Sequence, residues 1–264
     1  MNLYETLETN NNDELTVAVP EKWGQGRATF GGMVAALMYQ KLALKVEQGR
    51  NVRAINLSFV GPVAPGNMDV VVKVLRAGKG ATQLQAMAYQ DDQVCAVMLA
   101  SFGADRESMI EVPFAFAPET KSPNEGMAMP YLPGLSPDFS QYFDYRFTEG
   151  RMPFMGSEDP EIGGWIRLKE ARESNGISVS EILALLDAWP PAALSMLKKP
   201  ASFSSLSWNI SFVNVPQQFN VTNWWQYHAD IQQSKNGYSH IDSALWDQDG
   251  GIAVISRQTA SVFG

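Results

Sequence analysis

The chain has little with which to do metal or redox chemistry: its 264 residues include one cysteine and two histidines. Cys95 has no partner for an internal disulfide, and its place in the apolar run Val94-Cys95-Ala96-Val97-Met98-Leu99 predicts a buried, inert thiol. His228 and His240 fall in strand-like segments with no acid or metal-ligand spacing around them, so they read as structural, and no metal or organic cofactor is expected. Clustered positive charge is missing too. With a formal net charge of −8 the chain lacks the Lys and Arg footprint that phosphate neutralisation requires, which argues against a nucleic-acid partner. No run of 18 apolar residues is present to span a bilayer, and Met1-Asn2-Leu3-Tyr4-Glu5 has neither the basic flank nor the apolar stretch of a secretory signal. The expectation is a soluble, cytoplasmic protein without a membrane partner. Gly-x-Ser-x-Gly is also absent, which removes the signature of a nucleophile-elbow serine hydrolase.

What is present is a folded core, at 45% hydrophobic residues, and a pattern written twice about 155 residues apart. The first copy runs from Thr29-Phe30-Gly31-Gly32 through Ile55-Asn56-Leu57-Ser58-Phe59 to Tyr89-Gln90-Asp91-Asp92 and Ser101-Phe102-Gly103. The second runs from Leu186-Asp187-Ala188-Trp189 through Asn209-Ile210-Ser211-Phe212 to Trp246-Asp247-Gln248-Asp249 and Val262-Phe263-Gly264. Residues 31–45 are rich in Ala, Leu and Met with glycines only at the start, which predicts a helix buried on most sides. Strand-like segments follow at 52–60, 68–76, 82–90 and 93–102. In the second half, leading strands are expected at 141–147 and 164–170. Ser178-Val179-Ser180-Glu181 is a capping-box signature ahead of an apolar helix that Pro190-Pro191 must interrupt before residues 192–198 resume it. Strands at 204–213, 223–232, 238–246 and 252–263 complete the second meander. Between the halves, six prolines from Pro113 to Pro137 mark a linker. The expected organisation is 1–103, a linker over 104–137, and 138–264, in the α+β class.

The segment Trp23-Gly24-Gln25-Gly26-Arg27-Ala28-Thr29-Phe30-Gly31-Gly32, then Phe59-Val60-Gly61-Pro62 and Val74-Leu75-Arg76-Ala77-Gly78-Lys79, with Leu185-Leu186-Asp187 and Pro190-Pro191 in the second half, resembles the acyl-CoA thioesterase II family. The resemblance runs from about residue 20 to the end, apart from the linker, and lies in the order of the motifs. It implies a double hotdog: two antiparallel sheets, each wrapped around a central helix, joined side by side. It also implies hydrolysis of acyl-CoA thioesters, with a water held by an aspartate on the second helix, a hydroxyl on the next strand and a glutamine on the last. By this resemblance Asp187 and Gln258 take the outer positions, and Ser205 or Ser207 takes the hydroxyl position, with Ser205 preferred. The first copy places Gly32 and Ser101 where Asp187 and Gln258 would fall, so the acid machinery is expected to be one-sided.

Thioester hydrolysis needs a nucleophilic water, a base and donors for the developing oxyanion. Asp187, with an ordinary pKa of about 3.9, would be ionised at neutrality and able to accept the proton. Ser205 and Gln258 can hold the water without changing charge. Gly31 and Gly32 open a helix, where backbone N–H groups and the absence of a Cβ suit an oxyanion site or, equally, close helix–sheet packing. Arg76 and Lys79, on a hairpin of an otherwise acidic chain, are the expected contacts for the CoA phosphates. A non-catalytic acyl-CoA or acyl-carrier binding protein on the same scaffold is the alternative, and a homo-oligomer stays open.

Overall fold

The computed structural model describes residues 1–112, 116–170 and 176–263. Gly264, which closes the second copy of the pattern, and residues 113–115 of the linker lie outside that range. The first half comprises α1 (Leu3–Thr9), β1 (Thr16–Val19), β2 (Gly24–Gln25), β3 (Ala28–Thr29), α2 (Gly31–Ala43), β4 (Asn51–Phe59), β5 (Gly66–Ala77), β6 (Ala81–Gln90) and β7 (Gln93–Gly103). A short β8 (Met127–Ala128) and a 3-10 turn over Asp138–Tyr142 lead to β9 (Phe143–Glu149) and β10 (Glu161–Leu168). Then come α3 (Val179–Asp187), α4 (Ala192–Met196), β11 (Ser202–Phe212), β12 (Trp225–Lys235), β13 (Tyr238–Trp246) and β14 (Ile252–Phe263).

The local signals act as expected. Ser178 caps α3 through the Glu181 backbone while the Glu181 carboxylate accepts from Ser178 N–H, which satisfies two of the donors a helix start leaves open. Pro190 and Pro191 separate α3 from α4, since neither carries an N–H to continue the ladder. The β12–β13 connection is a two-residue turn at Asn236-Gly237, both with positive φ (56° and 81°), the geometry that matches strand twist.

The sheets do not stay separate. Among the described residues twelve strands form one antiparallel sheet in the order β1-β5-β6-β7-β4-β11-β14-β13-β12-β10-β9-β8, so the expected pair of sheets is corrected to a single one. The reason is a direct ladder between β4 and β11, in which Ser58, Leu57, Asn56, Ile55 and Ala54 face Ser207, Trp208, Asn209, Ile210 and Ser211. Two edges that would otherwise expose unpaired N–H and C=O groups close each other. Asn209 donates its side-chain amide to Asn56 across this seam. Each strand carries a bulge at the matching place, at Arg53 in β4 and Leu206 in β11. With Asn56 facing Asn209, the two halves are related through the seam by a local twofold axis.

Helix α2 is buried from Gly32 to Met38 because the sheet, α1 and α3 all pack on it. It lies antiparallel to α3: Ser180, early in α3, donates to the Ala36 carbonyl, while Asp187 at the end of α3 meets the first residues of α2. An aromatic cluster holds the α2 entry to the second half, with Trp23 stacked on Tyr142 at 4.4 Å and Phe30 on Phe139 at 4.1 Å. The linker is strapped to the sheet. Its Pro118 and Lys121 carbonyls accept from Gln226 and Trp165, which buries Gln226 on the strand face opposite Trp225 and Tyr227. Trp23 is fully buried at the junction of the halves, so Trp23→Ala is expected to cost ~3–5 kcal/mol of unfolding free energy, read from the urea midpoint.

Candidate active site

Three elements of the second half and one of the first converge at the seam. Asp187 is the last residue of α3. Gln258, on β14, donates through Nε2 to Ser205 Oγ at 2.8 Å and to Asp187 Oδ1 at 3.5 Å. A Cβ added at Gly31 would lie 2.8 Å from Asp187 Oδ2 and 3.1 Å from the Phe59 ring; one at Gly32 would lie 2.5 Å from the Phe30 ring and 3.1 Å from Asp187 Cβ. The glycines are therefore what lets the carboxylate close on the start of α2. The Gly32 backbone hydrogen-bonds that carboxylate.

Burial pushes the Asp187 carboxyl up to about 7, against the opposing hydrogen bonds from Gly32 and Gln258. Against the ordinary value expected from the sequence, burial thus moves this carboxyl toward neutrality. Its position at the negative end of the α3 dipole disfavours the anion, and the positive end of α2 favours it. Tyr145 fixes this end of α3 by donating its hydroxyl to the Ala188 carbonyl at 3.0 Å.

The bulge at Leu206 decides between the two candidate serines. Before it, Phe203 and Ser205 are the more buried residues of β11; after it, Trp208, Ile210 and Phe212 take over. Ser207 is exposed, and Ser205 faces inward against Gln258. A slip of two residues normally keeps a side chain on its face, but the extra residue reverses that parity.

The seam also corrects the correspondence between the copies. Gly32 and Asp187 stand at opposite ends of their helices, so they meet rather than match. Counting from the Asn56–Asn209 pair, Val52 corresponds to Ser205, and Ala100, which faces Ile55 as Gln258 faces Trp208, corresponds to Gln258 rather than Ser101. Both counterparts are apolar and buried.

Arg76 and Lys79 are not brought to this place. Their hairpin adjoins Thr82, which faces Phe102, which faces Val52: they stand at the Val52 end of β4, away from Phe59 and the site. The equivalent hairpin of the second half is the one beside Ser205, through Ala260 and Ser239, and it carries the exposed Lys235. Counting from the seam marks Lys235, but only once the ladder is known. Trp189 and Tyr227 were likewise missed as neighbours of Asp187; together with Ser243, Ser256 and Gln258 they line a cavity beside it.

His228 is not free of acids. Sheet pairing sets it opposite Gly163 and between Glu149, at 2.7 Å from Nδ1, and Asp230, at 3.1 Å from Nε2. The Glu149 hydrogen bond holds the imidazole above its usual pKa. Ligand atoms of Glu161, His228 and Asp230 lie within 4.8 Å of one another, a spacing a divalent cation could bridge, but the hydrogen bonds of the imidazole to Glu149 and Asp230 account for the same cluster. Among the described residues no helix is long and apolar enough to cross a membrane.

Comparison with known proteins assigns the family. Residues 19–103 match the acyl-CoA thioesterase N-terminal domain and residues 117–262 the acyl-CoA thioesterase C-terminal domain, so the chain belongs to the acyl-CoA thioesterase family. No curated protein matches significantly. Among solved structures, a hot dog fold protein of unknown function from Alicyclobacillus acidocaldarius superposes with a TM-score of 0.82 at 20% identity, covering 94% of this chain and 92% of its own. A putative thioesterase II from Thermobifida fusca gives 0.81 at 14% identity, covering 98% and 97%. An acyl-CoA thioesterase II from Mycobacterium marinum gives 0.75 at 16% identity, covering 98% of each chain. At these identities the likeness is one of fold.

The raised Asp187 pKa has a stability consequence. Between the unfolded value of 3.8 and about 7 the folded state holds the proton more tightly, so this group's contribution is present below pH 3.8 and is lost as pH rises through 7. Asp187→Asn removes that loss. The variant's melting temperature minus that of the wild type should therefore increase from pH 5 to pH 8; a difference that is flat or falling would mean the carboxylate is not destabilised by folding.

Proposed function

We propose that this chain hydrolyses acyl-CoA thioesters at a single site per chain, with Asp187 as the base and Ser205 and Gln258 orienting the water. The observation that carries the reading is the convergence of Asp187, Ser205 and Gln258 on Gly31-Gly32, with the carboxyl pKa raised to about 7. A base with a pKa near the working pH combines adequate ionised fraction with adequate driving force. Family membership supports thioester hydrolysis in general, and the residue roles are this proposal.

In the reaction, water oxygen bonds to the thioester carbonyl carbon while Asp187 takes its proton. The carbonyl oxygen becomes anionic beside the start of α2, whose positive end favours the charge. The carbon–sulfur bond then breaks, and the proton on Asp187 passes to the departing CoA thiolate. Because Gly32 already hydrogen-bonds Asp187, that end of the helix acts on the base as well as on the oxyanion. Val52 and Ala100 cannot hold a water as Ser205 and Gln258 do, so the first half supplies the helix start and no second centre. We read residues 1–103 and 138–264 as two fused hotdog units with 104–137 between them. For the CoA phosphates, Lys235 on the hairpin beside Ser205 replaces Arg76 and Lys79 in this proposal.

Purified protein assayed against a panel of acyl-CoAs tests the reading directly. Asp187→Asn should fold and lose ~10²–10⁴-fold in kcat, and the wild-type kcat/KM should rise with pH through a midpoint of about 7. Near-wild-type turnover in the variant would remove Asp187 as the base. Lys235→Ala should raise KM for acyl-CoA more than for a short thioester without the nucleotide, and an equal effect on both would exclude phosphate binding as its role.

A further inference from the structure

The cavity beside Asp187 contains a donor that the hydrolytic reading has not used. Trp189 is 4% exposed, and its indole Nε1 is buried with no hydrogen-bond partner. The ring is clamped: it stacks on Tyr227 at 5.1 Å with 8° between planes, meets Phe147 at 4.9 Å and the edge of Tyr145 at 6.0 Å, and is followed by Pro190-Pro191. A buried N–H left unpaired is costly, and a ring so held cannot turn to find a protein acceptor.

The other polar groups of the wall already serve one another. Trp208 Nε1 donates to Ser256 Oγ at 3.2 Å, Ser256 and Ser243 share a hydrogen bond of 2.8 Å, and the Tyr227 hydroxyl bonds Ser243. The cavity that Trp189 lines offers a place for that acceptor. About 20 Å³ there is open to a water molecule. That exceeds the roughly 10–15 Å³ one water requires, and it is far too little for an acyl chain.

We propose that Trp189 is a fourth member of the hydrolytic site, its indole N–H donating to the water that Asp187 deprotonates. This rests on the hydrolase reading above. A water in this cavity has Trp189 as donor and Asp187 as acceptor for the hydrogen it loses, with Gln258 on the same wall. The N–H orients the water and stabilises the hydroxide that forms as the proton leaves, which is the work of a preorganised donor. Two residues two apart in sequence thus act on one molecule, Asp187 from the end of the helix and Trp189 from the chain that the prolines turn aside.

The test replaces Trp189 site-specifically with benzothienylalanine, which keeps the bicyclic shape and puts sulfur where the N–H was, beside the cruder Trp189→Phe. Removing one preorganised donor should lower kcat by ~10²-fold with KM for acyl-CoA little changed, and should move the acid limb of kcat/KM to higher pH. A purely packing role predicts the opposite for the isostere: wild-type kcat and an unmoved limb, a result that overturns the assignment while leaving Asp187 as base. A high-resolution crystal structure should show a water within about 3.2 Å of Trp189 Nε1 and in contact with Asp187; an empty cavity also overturns it. If the wild type turns over no acyl-CoA at all, the hydrolase reading fails first and the catalytic role of Trp189 falls with it.

Discussion

The ladder between β4 and β11 is the constraint from which the rest follows. It joins the halves into one sheet through backbone hydrogen bonds, sets Asn56 opposite Asn209, and places α2 and α3 side by side in opposite directions. A local twofold of this kind sends like elements to opposite ends of the molecule. The start of one helix therefore meets the end of the other, and a site at that meeting draws its parts from both halves. The bulges at Arg53 and Leu206 keep the symmetry of the backbone while the side chains depart from it, with Val52 and Ala100 on one side and Ser205 and Gln258 on the other.

At the meeting point opposing electrostatic effects compete over one carboxyl group. Burial and the negative end of α3 disfavour the anion; the positive end of α2, the Gly32 backbone and the Gln258 amide favour it. Burial wins by enough to bring the group to about 7. The glycines belong to this balance, because a Cβ at Gly31 would occupy the space of the carboxylate and separate it from the helix end that moderates its pKa. The close-packing reading of these glycines is realised here as close approach of the Asp187 carboxylate to the start of α2.

Much of the fold was legible because its signals are local. The meander of β4 to β7 and that of β11 to β14 follow alternation and turn residues, and the start and end of α3 follow from a capping box and two prolines. Family resemblance named Asp187 and Gln258 as candidates, and the structure brings the two side chains together. The errors share a cause: each depended on which strand lies beside which. One sheet in place of two and the carboxylates around His228 both arise from pairings between segments far apart in sequence. Arg76 and Lys79 lie at the Val52 end of β4, away from Asp187, a separation that only the seam reveals because it sets which end of each meander faces the site.

The sequence by itself determined the elements, the duplicated order and the chemical types available for catalysis, because capping, periodicity and turn preference act over a few residues. Only the tertiary structure decided that Ser205 and not Ser207 faces inward, since one bulged residue reverses the parity of the strand. It alone decided that Asp187 titrates near neutrality, because desolvation depends on everything packed around the carboxylate and not on the residues beside it in the chain. And it alone set Trp189 with an unpaired N–H against a space the size of a water, a consequence of walls contributed by six separate elements.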